Sequence, residues 1–205
     1  MTMSVERMPK FFAEWVLAHG AGGPAGEVAQ WLAAGDLDPS GFAEIVARHG
    51  TGSEAWFRAS MLDFVLDYAR QRLSERMLTV DDINDVRMLK HTLHVQEGEL
   101  FANRPAEISQ LLQLALAGIL DDDQIDSGED LYLVSLQGAF DLSYDQFLTL
   151  ARPAFERELA NLDARLNASQ AVDPGSWEQL AKKRAGLEAI FQLVQRQHRS
   201  LGALF

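Results

Sequence analysis

The densest grouping of reactive side chains lies at residues 121–130. Asp121, Asp122, Asp123, Asp126, Glu129 and Asp130 place six carboxylates in ten residues. Like charges crowded this closely repel unless a cation, a basic partner or water relieves them. Hard cations such as Ca²⁺ or Mg²⁺ prefer oxygen-rich ligand sets of this kind. Asp122, Asp126 and Glu129 are therefore candidate metal ligands. A second acidic stretch upstream adds Glu75 and Asp82 to the set. The twelve-residue calcium loop of EF-hands is not matched, because each frame that begins on an Asp leaves Ile125, Gln124 or Gly128 in a ligand position. Helix capping is the competing explanation. Thr79 and Asp126 each precede an apolar helical pattern, with Asp82 and Glu129 three residues on, which is capping-box spacing.

The remaining chemical candidates are thinner. His91 and His94 stand three apart, near Glu97 and Glu99, and a pair at helical i, i+3 spacing can share a metal. The Glu-x-x-His repeats of helical di-metal hydrolases are missing, since HTLHVQEGE runs in the wrong order. His19 precedes a Gly-rich run, but no G-x-S-x-G elbow accompanies it. The run GAGGPAG follows no strand and lacks a phosphate-binding Lys, so it reads as a connector. The last apolar-periodic segment is basic, with Lys182, Lys183, Arg184, Arg196, His198 and Arg199. Lys182, Lys183 and Arg184 are candidate partner-binding residues. Their alternative role is a solvated or internally docked face with an i, i+4 pair between Arg184 and Glu188. No group of residues reads as a catalytic site, and the chain is expected not to be an enzyme.

Composition narrows the setting. The 205 residues carry a formal charge of −12 and contain no Cys. That removes disulfides, thiolate zinc sites and Cys nucleophiles, and fits a reducing compartment. Nucleic-acid binding relies on Lys and Arg neutralising phosphates, so it is not expected here. Basic proteins and divalent cations are the partners this charge attracts. No apolar run approaches the roughly 20 residues of a spanning helix. The start, MTMSVERMPKFF, lacks a signal-peptide core, so a cytoplasmic protein is expected.

The elements that must hold these residues all read as helices. Short ones are predicted around Phe11/Trp15/Ala18, Val28/Trp31/Leu32 and Phe42/Ile45/Val46, the latter two opened by Pro24 and Pro39. A longer stripe runs through Phe57, Met61, Phe64, Val65 and Tyr68. Pro105 opens a strongly apolar helix through Ile108, Leu111, Leu112, Ala115 and Ile119, widened by Leu114 and Leu116. It is expected to be the most buried. Phe155, Leu159, Leu162 and Leu166 begin a C-terminal pair, whose second helix is expected to start on a Ser176–Gln179 capping box. Period-two alternation never runs long enough for a strand. Residues 76–101 also lie over 123–148 at a constant offset of 47. Leu78 falls on Ile125, Asp82 on Glu129, Val86 on Leu133, Leu89 on Leu136, Leu93 on Phe140 and Leu100 on Phe147. The expected fold is an all-α bundle around a duplicated helix–acidic turn–helix core at 53–152. Short helices at 1–52 and a helical hairpin at 153–205 flank it.

ILDDDQIDSGED, a helix, and then DLSYDQ resemble the signature of the TerB-like tellurite-resistance domain. That signature is an Asp–Gly, a branched apolar residue two positions on, a Glu four later, a helix and a Leu–Ser cap. The resemblance covers about residues 55–150. It implies two such units about a pseudo-twofold and a stress-linked interaction or sensor protein that binds a divalent cation through its acidic residues. The motif Asp falls on Asp122 and the motif Glu on Glu129, with Glu75 and Asp82 as their first-copy equivalents. Asp123 and Arg76 stand where the signature has Gly. The other function the residues admit is a metal-independent, protein-binding adaptor whose acidic turns only cap helices.

Overall fold

The computed structural model describes residues 7–35, 37–51, 54–75, 78–121, 128–169 and 174–202. Those residues are all-α, with ten helices and no strand among them. None of the helices is long and apolar enough to cross a membrane. The chain divides into two compact units, Met1–Pro105 and Ala106–Phe205. This single division after Pro105 differs from the partition at 52 and 152 that the sequence pattern suggests.

The first unit holds α1 (Arg7–His19), α2 (Gly23–Ala33), α3 (Pro39–His49), α4 (Ala55–Glu75), α5 (Val80–Thr92) and the short α6 (Glu99–Asn103). Its punctuation follows local chemistry. Pro24 lies in the first turn of α2 and Pro39 in that of α3, where a missing N–H costs nothing. Asp38 caps α3 by accepting from the Ser40 amide. Gly50 ends α3 at φ +65°, a left-handed conformation that lets Gly50 N and Thr51 N close back on the Ala47 and Val46 carbonyls.

α4 is the centre of this unit. Phe57, Met61, Leu62, Phe64, Val65, Leu66, Tyr68 and Ala69 are all buried, which wraps apolar surface around much of the helix. α5 and α2 pack against it. From α1, Phe11 meets Tyr68 edge-on, and Phe12 and Trp15 meet Phe64 in the same way. Such edge-to-face pairs add about 0.5–1.5 kcal/mol beyond the area they bury. The N-terminal helices are therefore part of the core that α4 organises.

The second unit holds α7 (Pro105–Asp121), α8 (Gly128–Ala139), α9 (Tyr144–Ser169) and α10 (Pro174–Gly202). α7 is not the most buried helix that its composition suggests. Ile108, Leu111, Leu112, Ala115 and Leu116 are buried, but Leu114 is 58% exposed, and α4 carries the wider buried surface. α9 and α10 pack as a hairpin, with Phe155 stacked on Phe191 and Leu162, Leu187 and Ile190 buried between them. This hairpin begins at Tyr144, ahead of the expected residue 153, because α9 runs through Pro153. α10 begins at Pro174, so Ser176 sits inside its first turn instead of capping it. Pro at the first helical position sets the start two residues earlier.

The turns that leave α5 and α8 are alike in detail. His94 and Asp141 both have positive φ, at 53° and 52°, and they stand 47 residues apart. Val95 N closes on the Lys90 carbonyl, and Leu142 N closes on that of Gln137. After each turn a side chain reaches back to a backbone N–H three residues earlier: Glu99 accepts from Gln96 N, and Gln146 from Ser143 N. These pairs share the 47-residue register of the sequence pattern.

Candidate functional site

Thr79 and Asp82 form the capping box expected at the start of α5. Asp82 N donates to Thr79 Oγ1 at 3.2 Å, and Thr79 N donates to Asp82 Oδ2 at 2.8 Å. The Thr79 hydroxyl donates to the same Oδ2 at 2.6 Å. The sequence does not foreshadow the other side of this carboxylate. Arg72, near the end of α4, donates from Nε to Oδ1 at 2.9 Å, and Arg7, at the start of α1, donates from Nη1 at 3.1 Å. Arg7 also reaches Asp81 at 3.8 Å. One carboxylate thus ties together the beginnings of α1 and α5 and the end of α4.

The Asp82 side chain is 1% exposed. Burial alone would push its carboxyl up, because the charged form is desolvated. The hydrogen bonds from Thr79 Oγ1 and N, and the adjacent Arg72 guanidinium, outweigh that and hold it at about 2. It is an anion throughout the neutral range with both oxygens engaged. Two arginines balance Asp82 and Asp81, so the group is neutral as a set. Asp82 Oδ1 takes both guanidiniums, and Oδ2 takes the Thr79 hydroxyl and amide. Beside it, buried Tyr68 donates its hydroxyl to Asp85 Oδ2 at 2.7 Å. Burial first, then that bond to a carboxylate, pushes the phenol well above its ordinary range.

A second anchor lies at the other end of α5. Arg58 of α4 forms a two-pronged pair with Glu99 and donates to the Leu93 and His94 carbonyls. The Arg58 hydrogen bonds lower the Glu99 carboxyl, outweighing the burial that opposes its charge. Glu99 thereby joins the His94 turn to α4, and with it Arg58 forms a positioning device. His91 and His94 do not share one helical face. α5 ends at Thr92, which leaves His91 exposed on its last turn and His94 in the left-handed turn, edge-on to Phe42.

Of the candidate metal ligands, Asp82 is placed in full and is committed to Thr79, Arg72 and Arg7. Glu75 is the last residue of α4, and its side chain lies outside the described residues, as do Asp122, Asp126 and the Glu129 side chain. Among the described residues no group of three or more His, Asp or Glu stands together as a metal-ligand set. Of the basic candidates, Lys182 is exposed and Lys183 is buried to 6%. Arg184 donates to Asp163 of α9 at 2.5 Å and pairs with Glu188, as its i, i+4 spacing suggests. Arg184 is therefore a link within the hairpin.

Arg7 and Arg72 carry no local signal in the sequence, because their partner is 75 and 10 residues away, beyond any local spacing rule. The apolar stripe marks Tyr68 as core but gives no partner for its hydroxyl. A buried Tyr within reach of an acidic helix face is the signal that could have suggested one. No protein-family model, curated protein or solved structure matches the chain.

Proposed function

We propose that this chain is a non-catalytic, metal-independent protein-interaction module, akin to TerB-like stress-response domains, in which acidic turns set helix geometry. The observation that carries the reading is Asp82. Among the candidate metal ligands, Asp82 is the one whose side chain is described, and it spends both oxygens on a capping hydroxyl, a backbone amide and two guanidiniums. Large apolar side chains stay on the surface, among them Leu17 at 86% and Val80 at 61% exposure. Exposed apolar groups beside an acidic surface suit recognition of another protein.

The cation-sensing form of the same module rests on residues 121–130, where six carboxylates stand in ten residues. Titration with Ca²⁺ and Mg²⁺ separates the two forms. The adaptor is expected to show neither binding heat nor a rise in melting temperature. A saturable rise in the wild type, lost in Asp122→Asn/Glu129→Gln, would replace it with a cation sensor. Deleting residues 1–50 is not a clean test of docking, because Phe12 and Trp15 pack on Phe64.

A further inference from the structure

Within the first unit, α2 and α3 lie side by side and leave a groove of about 350 Å³. This is near the lower end of small-ligand pockets, which run ~300–1,000 Å³. Glu27 and Trp31 line it from α2, and Gly41, Glu44, Ile45 and Arg48 from α3. The α2 pair stands at i, i+4 and the α3 set at i, i+3, i+4, i+7, so each helix turns one stripe toward the groove.

The indole is fixed in place. A Cβ at position 41 would lie 2.8 Å from Trp31 Nε1 and 3.1 Å from its ring carbons, so only Gly admits the ring there. The Nε1 atom is buried against that backbone without a hydrogen-bond partner. Burying a donor unpaired is unfavourable, so close packing on Gly41 rather than a hydrogen bond places the ring. The two carboxylates differ. Glu27 already pairs with Arg48 and, at 2.6 Å, with His49. Glu44 is exposed and makes no hydrogen bond or ion pair with the described residues.

We infer that this groove receives an arginine side chain from a basic partner protein. The guanidinium stacks on Trp31 and pairs with Glu44, while the aliphatic stem lies along Ile45. A planar guanidinium suits an aromatic wall flanked by a carboxylate better than a compact ammonium does. The net charge of −12 draws basic partners toward the groove. This inference rests on the interaction-module reading and names the partner's chemistry.

Amide and indole N–H spectra of the full chain, titrated with N-acetyl-arginine methylamide and with the uncharged citrulline analogue, test it. Saturable shifts from the arginine probe are expected at the Trp31 indole and at the Gly41 and Glu44 amides. Citrulline is expected to bind at least about fivefold more weakly, and Glu44→Gln to weaken the arginine probe by about as much. Absence of shifts at these three positions, equal response to citrulline, or unchanged binding in Glu44→Gln would overturn it. The cation titration is independent of all three outcomes, so the two readings fail separately.

Discussion

Asp82 and Glu27 make the same kind of contact in two different solvents. Each carboxylate meets two basic side chains, the Arg7 and Arg72 guanidiniums in one case and the Arg48 guanidinium and His49 imidazole in the other. The Asp82 side chain is 1% exposed and Glu27 31%. Both carboxyls are held below their ordinary values. For Glu27 the cause is first the hydrogen bond with His49, with Arg48 assisting. For Asp82, burial works against the charge and must be overcome by Thr79 and Arg72. Similar pairings therefore differ in consequence according to what water would do once a partner is removed. Around Glu27 water and salt replace the lost charge. Around Asp82 they cannot reach it.

The largest effect is therefore expected from Asp82→Ala. It removes the buried carboxylate that two guanidiniums share, one of them 12% exposed, and the side-chain half of α5's capping box. Breaking a buried pair by deleting one member costs ~3–5 kcal/mol. Urea unfolding should show that loss, and a loss below ~1 kcal/mol would mean that Arg7 and Arg72 swing into solvent at little cost.

Acid sharpens the contrast without mutation. The Asp82 carboxyl falls from an ordinary 3.8 to about 2 on folding. A group whose folded value is depressed contributes stability above its unfolded value and loses it as pH falls through the folded one. A depression of this size corresponds to about 2 kcal/mol, present above pH ~4 and lost on the way down to pH ~2. Stability of Asp82→Asn measured over the same interval should fall less steeply. Parallel acid limbs would assign the loss to other carboxylates.

Thr79→Ala probes only the cap and leaves both arginines on Oδ1. The expected loss is ~1 kcal/mol, in line with other N-caps, and Thr79→Ser should recover most of it. If Ala costs as much as Asp82→Ala, the hydroxyl orients the whole cluster and the arginines add little.

The cap was legible because it is local. Thr79 and Asp82 lie three apart, and the same short-range rules located Pro24, Pro39 and Pro105 in the first turns of their helices and paired Arg184 with Glu188. Helical periodicity marked the α4 stripe for the same reason. The ion network was not legible, since the Arg7 and Asp82 positions meet only after α1 folds onto α4. Local rules also misplaced the start of α10, where Pro174 opens the helix ahead of Ser176. His94 left the helix that its spacing suggests because α5 stops at Thr92 and the chain enters a left-handed turn. Leu114 shows the limit of composition. It lies in an apolar run, yet its direction on α7 leaves it in water. Of the candidate ligands, Asp82 has described neighbours that define its role, and the side chains of the other four lie outside the described residues.

Glu27→Gln should produce the smallest effect. The change removes the charge that Arg48 and His49 share, while Arg48 is 61% exposed and remains hydrated. A slight lowering of melting temperature is expected at low ionic strength. It should disappear in ~1 M salt, where the Debye length shrinks to about 3 Å and free ions screen the pair. Asp82→Ala measured in the same buffers should keep its deficit, because ions cannot enter a site with 1% exposure. Melting both variants at low and high salt thus turns a difference in burial into a difference in salt response. A Glu27→Gln deficit that survives high salt would show that α2 and α3 depend on this pair mechanically, and that exposure alone does not rank the two carboxylates.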